Sequence, residues 1–135
     1  MHVCLLILLG LPLVAQTEAN IACVERLQIP TYPILAAQAR ITGVVIANVL
    51  LGPNGSVDTI ASASDRGKAH PILLGGVEKS MRASTFAKAC ANKRLELIFN
   101  FVIEGTPVQR PTESAISFRY PNQFWIATPP LLVNP

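Results

Sequence analysis

Reactive side chains are few in this sequence: three cysteines (Cys4, Cys23, Cys90), two histidines (His2, His70) and two aspartates (Asp58, Asp65). Their spacing argues against catalysis. A Ser-His-Asp triad would have to draw on His70 with Asp58 or Asp65, and no Gly-x-Ser-x-Gly turn presents a serine to it. A Cys–His dyad would use Cys23 or Cys90, and a disulfide competes for both. Zinc needs three or four Cys, His or carboxylate ligands at short spacing. Cys23 and Cys90 are far apart, with His70 the one histidine between them. Gly75-Gly76 is not followed by the Lys-Ser/Thr of a phosphate loop. The expectation is therefore no enzyme, no metal, no cofactor and no small-molecule substrate. His70, directly before Pro71, reads as a solvated helix-start residue.

The cysteines also speak to compartment. Val3–Ala15 is an uncharged apolar run. It is too short for a bilayer, which takes about 20 apolar residues, and suits the core of a secretory signal peptide better than an uncleaved anchor or a buried helix. Small residues place candidate cleavage sites after Ala15 and Ala19, so 1–19 is taken as the signal peptide. Cys4 leaves with it. Cys23 and Cys90 remain, an even pair in an exported chain, which points to a disulfide. Closing a loop of about 68 residues contributes on the order of 4 kcal/mol in the chain-entropy account. The alternatives are two buried, inert thiols or a lipid on Cys23.

Charged residues are 14% and hydrophobic residues 50% of a 135-residue chain, so it folds as one domain and bulk disorder is excluded. The net charge is +3, but the eleven basic residues are scattered, the tightest group being Lys88, Lys93 and Arg94. Without a basic run or basic–aromatic interleaving, nucleic acid is not an expected partner.

The elements follow from periodicity. After a lead-in (20–31), Tyr32–Arg40 reads as a helix with Pro33 at its first turn and Gly43 at its end. Val44–Leu51 is a strand with Val45, Ala47, Val49 and Leu51 on one face. The turn Gly52-Pro53-Asn54-Gly55 joins it to a weaker strand, Ser56–Ala63. A polar loop, Ser64–His70, leads to a second helix from Pro71 to about Ala89. Its stripe is Leu74, Val77 and Met81, and Gly75 and Gly76 weaken its first turn. Arg94–Glu104 is the clearest strand, with Leu95, Leu97, Phe99, Phe101 and Ile103 alternating against polar neighbours. Ser114–Tyr120 and Gln123–Thr128 form a second hairpin. The order α-β-β-α-β-β-β predicts an α+β fold: an antiparallel sheet, three-stranded in its core with a C-terminal hairpin added, and two helices packed on one face.

This succession resembles the TonB carboxy-terminal domain family. The motifs are Tyr32-Pro33 opening a helix, Gly43-Val44 starting a strand, Gly-x-x-Gly-x-Val at Gly52–Val57, His70-Pro71-Ile72-Leu73 opening the next helix, Phe86 at its end, and the long alternating strand. The resemblance covers roughly 32–104; a loop and extra hairpin (105–128) and a tail (129–135) lie beyond it. It implies a periplasmic, Gram-negative, non-enzymatic domain that takes an extended segment of an outer-membrane transporter or other envelope protein by strand addition. The partner edge it implies is Arg94, Glu96, Ile98, Asn100, Val102 and Glu104.

Family members commonly carry Trp-x-Phe where this sequence has Ser84-Thr85-Phe86, and Tyr32 or Trp125 is expected to supply the missing core side chain. Force-transmitting members also carry a membrane anchor and a long Pro-rich spacer. Neither is read here, so energy transduction by this chain alone is not expected. The alternative expectation is an accessory envelope domain whose own hairpin covers the sheet edge and which acts by self-association, with a homodimer as its partner state.

Overall fold

The structure is a computed structural model that describes residues 21–64 and 69–132. The apolar run Val3–Ala15, its cleavage sites and Cys4, together with Asp65 and the end of the tail, lie outside the described residues.

In chain order the elements are a 3₁₀ turn (Ile21–Cys23), β1 (Val24–Arg26), α1 (Ile34–Gln38), β2 (Gly43–Leu51), β3 (Val57–Ser64), α2 (Pro71–Ala83), β4 (Thr85–Phe86), a second 3₁₀ turn (Lys88–Cys90), β5 (Arg94–Ile103), β6 (Ala115–Arg119) and β7 (Gln123–Thr128). The fold class is α+β, as expected. The main sheet has five strands in the order β3-β2-β5-β7-β6. Its core, β3-β2-β5, is antiparallel, and the C-terminal hairpin extends it. One junction departs from the all-antiparallel expectation: β7 runs parallel to β5, with Phe99 opposite Phe124 and Phe101 opposite Ile126. The loop after Ile103 crosses to the outer position at the same end of the sheet, β6 carries the chain back, and β7 is laid between.

The reason for that order is the apolar face of β5. Leu95, Leu97, Phe99 and Phe101 are essentially inaccessible to water, together with Val45, Ala47, Val49 and Leu51 of β2. Phe124 and Ile126 of β7 join the same cluster, and Phe124 stacks on Phe99 at 5.4 Å. Each such side chain contributes about 1.5–3 kcal/mol by leaving water. Only the slot beside β5 buries both β7 residues. α2 covers the other half of this face through Leu73, Val77, Ser80 and Met81. The stripe is thus shifted from the expected Leu74, Val77 and Met81: it advances four residues at a time and leaves Leu74 partly buried.

Three boundaries differ from expectation. α1 is shorter than Tyr32–Arg40, because Arg40 adopts a left-handed conformation (φ 56°) and Ile41 N–H closes on the Ala36 carbonyl. Gly43 therefore starts β2 instead of ending the helix. α2 stops at Ala83 instead of Ala89. There Ser84 Oγ donates to the Ser80 carbonyl (2.8 Å) and accepts Gln28 N–H (2.9 Å). The chain then extends as β4 to pair with β1, which buries Phe86. Of the two candidates for the missing core aromatic, Tyr32 is the one in the core, edge-on to Phe101 at 5.5 Å. Trp125 lies on the opposite face of the sheet, under Arg119 at 4.3 Å.

The core assignment predicts unequal costs along β5. Phe99→Ala should lower unfolding free energy by about 3–5 kcal/mol, whereas Ile98→Ala, on the face without helices, should cost distinctly less. Urea denaturation of the two variants measures the difference.

Candidate functional site: the outer edge of the sheet

Of the six residues expected to form a partner-binding edge, Ile98, Asn100 and Val102 do not lie at an edge, and only Arg94 and Glu96 at the start of β5 precede the β7 ladder. Arg94, Glu96, Ile98, Asn100 and Val102 alternate along the helix-free face of β5, and β5 is the middle strand of five. β2 pairs with it on one side, Glu96 opposite Asn48 and Asn100 opposite Val44. β7 pairs on the other from Ile98 onward, Asn100 opposite Trp125 and Val102 opposite Ala127. The contact is reinforced by side chains: Asn100 Nδ2 donates to the Phe124 carbonyl (3.1 Å), and buried Asn122 donates from Nδ2 to the Glu96 carbonyl (3.0 Å). Glu104, just past the strand, donates its N–H to the Thr128 carbonyl (3.0 Å). From Ile98 onward the expected edge is covered, because β7 needs that position to bury Phe124 and Ile126.

The outer edge is β6 instead. All five of its residues are exposed. Register with β7 places Ile116 opposite Ile126 and Phe118 opposite Phe124, so both belong to the helix-bearing face. They remain 46% and 45% exposed, and Tyr120 just beyond is 83% exposed. Phe118 leans on Phe124 at 4.9 Å. Two apolar hollows flank the pair. One, of about 510 Å³, lies between Ile29, Pro30, Tyr32 and Ile34 on one side and Pro111 and Ile116 on the other. The second, of about 330 Å³, is lined by Ile21, Val24, Leu27, Ile29, Phe118 and Phe124, with Glu25 the one charged residue among them. Nothing in the composition marked this site. The available signal was the alternation of Ile116 and Phe118 with Ala115 and Ser117.

The lead-in segment forms one wall of both hollows, and four links hold it down. Cys23 and Cys90 are joined in a disulfide, with Cα atoms 5.8 Å apart. This removes both alternatives, free thiols and a lipid on Cys23. β1 pairs with β4, and Gln28 is tied to Ser84. At the far end, Tyr32 Oη donates to the Ile41 carbonyl.

Elsewhere, a cleft of about 650 Å³ lies between the β2–β3 turn and β4, lined in part by Glu25, Arg82 and Lys88. His70 caps α2, its Nδ1 accepting the Ile72 N–H at 3.3 Å. No group of three or more His, Cys, Asp or Glu residues able to hold a metal occurs among the described residues. No helix among them is long and apolar enough to cross a membrane.

With this geometry in view, comparison with known proteins is decisive for the core. The family model described as Gram-negative bacterial TonB protein C-terminal matches residues 28–104, more than half of the chain. The chain belongs to that family. The match begins in the lead-in and ends at Glu104, so β6, β7 and the smaller wall residues Ile21, Val24 and Leu27 lie outside it. The TonB C-terminal family is a periplasmic, non-enzymatic protein-interaction domain of TonB-dependent transport. No curated protein and no solved structure matches the chain at a significant level.

Two consequences follow for the wall of the hollows. Reducing the disulfide should lower unfolding free energy by on the order of 4 kcal/mol and speed amide exchange in Ile21–Arg26 while β5 stays protected. Burial pushes the Tyr32 hydroxyl above its ordinary pKa of 10.0, so the folded state disfavours the tyrosinate. That contribution is complete below pH 10.0 and is lost as pH rises toward the folded value. Tyr32→Phe should therefore lower stability at neutral pH by about 1 kcal/mol through the lost hydrogen bond. It should also flatten the alkaline fall in urea midpoint.

Proposed function

We propose that this protein is an exported, non-enzymatic binding module of the Gram-negative periplasm that takes an extended segment of an envelope protein by strand addition. The class of partner follows the family: a periplasmic segment of an outer-membrane transporter or a protein associated with one. The observation that carries the reading is β6, an exposed edge strand whose main chain faces solvent, with apolar hollows beside its two large side chains. An unpaired edge offers alternating N–H and C=O groups that an extended peptide satisfies, and side-chain pockets at every second residue add specificity.

A second reading is favoured by a specific observation. β7 occupies the flank of β5 where the family resemblance led us to expect the partner. On that reading the protein is an accessory envelope domain with a self-capped sheet, and Ile98, Asn100 and Val102 become available to a partner strand only when the hairpin leaves.

Calorimetric titration with extended peptides from the periplasmic segments of outer-membrane transporters tests both readings. Saturable binding that weakens at least about tenfold on Phe118→Lys supports addition at β6. Binding that disappears when cysteines replacing Asn100 and Trp125 are oxidised, locking β7 to β5, supports displacement of the hairpin. Absence of binding, together with empty pull-downs from periplasmic extract, overturns the module itself.

A further inference from the structure

We propose that β6 pairs with itself: two copies of the protein associate through antiparallel β6–β6 pairing about a two-fold axis at Ser117, joining two five-stranded sheets into one. The inference rests on the reading of β6 as an open acceptor edge.

The two edges of the sheet differ in how they are guarded. β3 carries Asp58 near its start, and its register with β2 is broken by an irregularity between Leu50 and Leu51. Both devices discourage a further strand. β6 has neither. Its register with β7 is continuous from Ala115 to Arg119, and it contains no proline, lysine or bulge. Its single charge, Arg119, is at the end of the strand and is turned onto the Trp125 ring.

The occupant is identified by what this edge accepts. A strand laid beside β6 must place large apolar residues two apart on the helix-bearing face, next to Ile116 and Phe118, and small residues on the other. β6 itself has this pattern: Ile116 and Phe118 on one face, Ala115 and Ser117 on the other. Antiparallel pairing about Ser117 sets Ile116 opposite Phe118 of the second copy, twice over by symmetry. Cross-strand pairs of a β-branched and an aromatic residue are stabilising. Arg119 then faces Ala115, so no like charges oppose one another. A slip of one residue sets the helix-bearing face of one sheet against the bare face of the other, which the period of two forbids. A slip of two leaves part of the strand unmatched. The contact is isologous, the commonest form of closed dimer. Being narrower than a standard interface, it is expected to be reversible.

Sedimentation equilibrium of the purified chain across the micromolar range is the test. The expected result is a monomer–dimer equilibrium, shifted to at least about tenfold higher concentration by Phe118→Lys. That variant changes an exposed side chain, and its far-ultraviolet circular dichroism should match the parent's. Ser117→Cys, on the axis, should give a covalent dimer on mild oxidation. Ala115→Cys, which faces Arg119, should not. A dimer that ignores Phe118→Lys and does not cross-link through Ser117→Cys overturns β6 pairing and leaves self-association by another surface. A monomer at every concentration that still binds transporter peptides overturns self-pairing and leaves β6 open to partners. A monomer that binds no peptide overturns both.

Discussion

The structure depends on burying one face of β5. Leu95, Leu97, Phe99 and Phe101 alternate along a strand that supplies the centre of the sheet. They cannot be half-covered without leaving aromatic surface in water, at about 25 cal/mol per Å². β2 lies on one side because its own alternating residues share that face. α2 lies above because Leu73, Val77 and Met81 fit the hollow between the strands. On the remaining side the family core stops, and this chain supplies its own strand. The stacking of Phe124 on Phe99 is the contact that commits β7 to that slot.

That commitment moves the site of interaction. A sheet has two edges, and filling one slot exposes the next. With β7 against β5, the outward-facing main chain belongs to β6, outside the stretch matched by the TonB C-terminal family. The same addition brings Ile116 and Phe118 alongside the lead-in, and the hollows form where the two segments fail to close completely. Their second wall is a segment with little regular structure. The disulfide, the short β1–β4 ladder and the Tyr32 anchor give it a defined position. A disulfide persists in an oxidising environment, and here it is coupled to the shape of the edge.

The helix-bearing face is closed by packing, whereas the other face of the sheet is built of half-buried residues such as Ile46, Ile98 and Val102 with Asn48 and Asn100 between them. The polar side chains there are used structurally, as Asn100 shows by bonding to β7. The exposed large apolar side chains are Ile116, Phe118 and Tyr120 at the rim, Ile34 and Leu35 on α1, and Leu132 near the end of the described chain.

What the amino-acid order determined by itself was local. Alternation of period two marked β2 and β5 nearly to the residue, and the Gly52–Gly55 cluster marked the turn between β2 and β3. The ordered motifs were enough for the family, and an even pair of cysteines pointed to the bond that exists. These signals survive because each depends on neighbours a few residues apart. Contacts between distant segments decided the rest. α2 ends at Ala83 because Ser84 is engaged by Gln28, 56 residues earlier, and β4 forms only because β1 is waiting for it. β5 became an interior strand because an aromatic in another hairpin stacks on Phe99. Periodicity tells which face of a strand is buried, but the partner along each of its two flanks is chosen by which strand has apolar surface left to bury, and that is settled only when the whole sheet assembles.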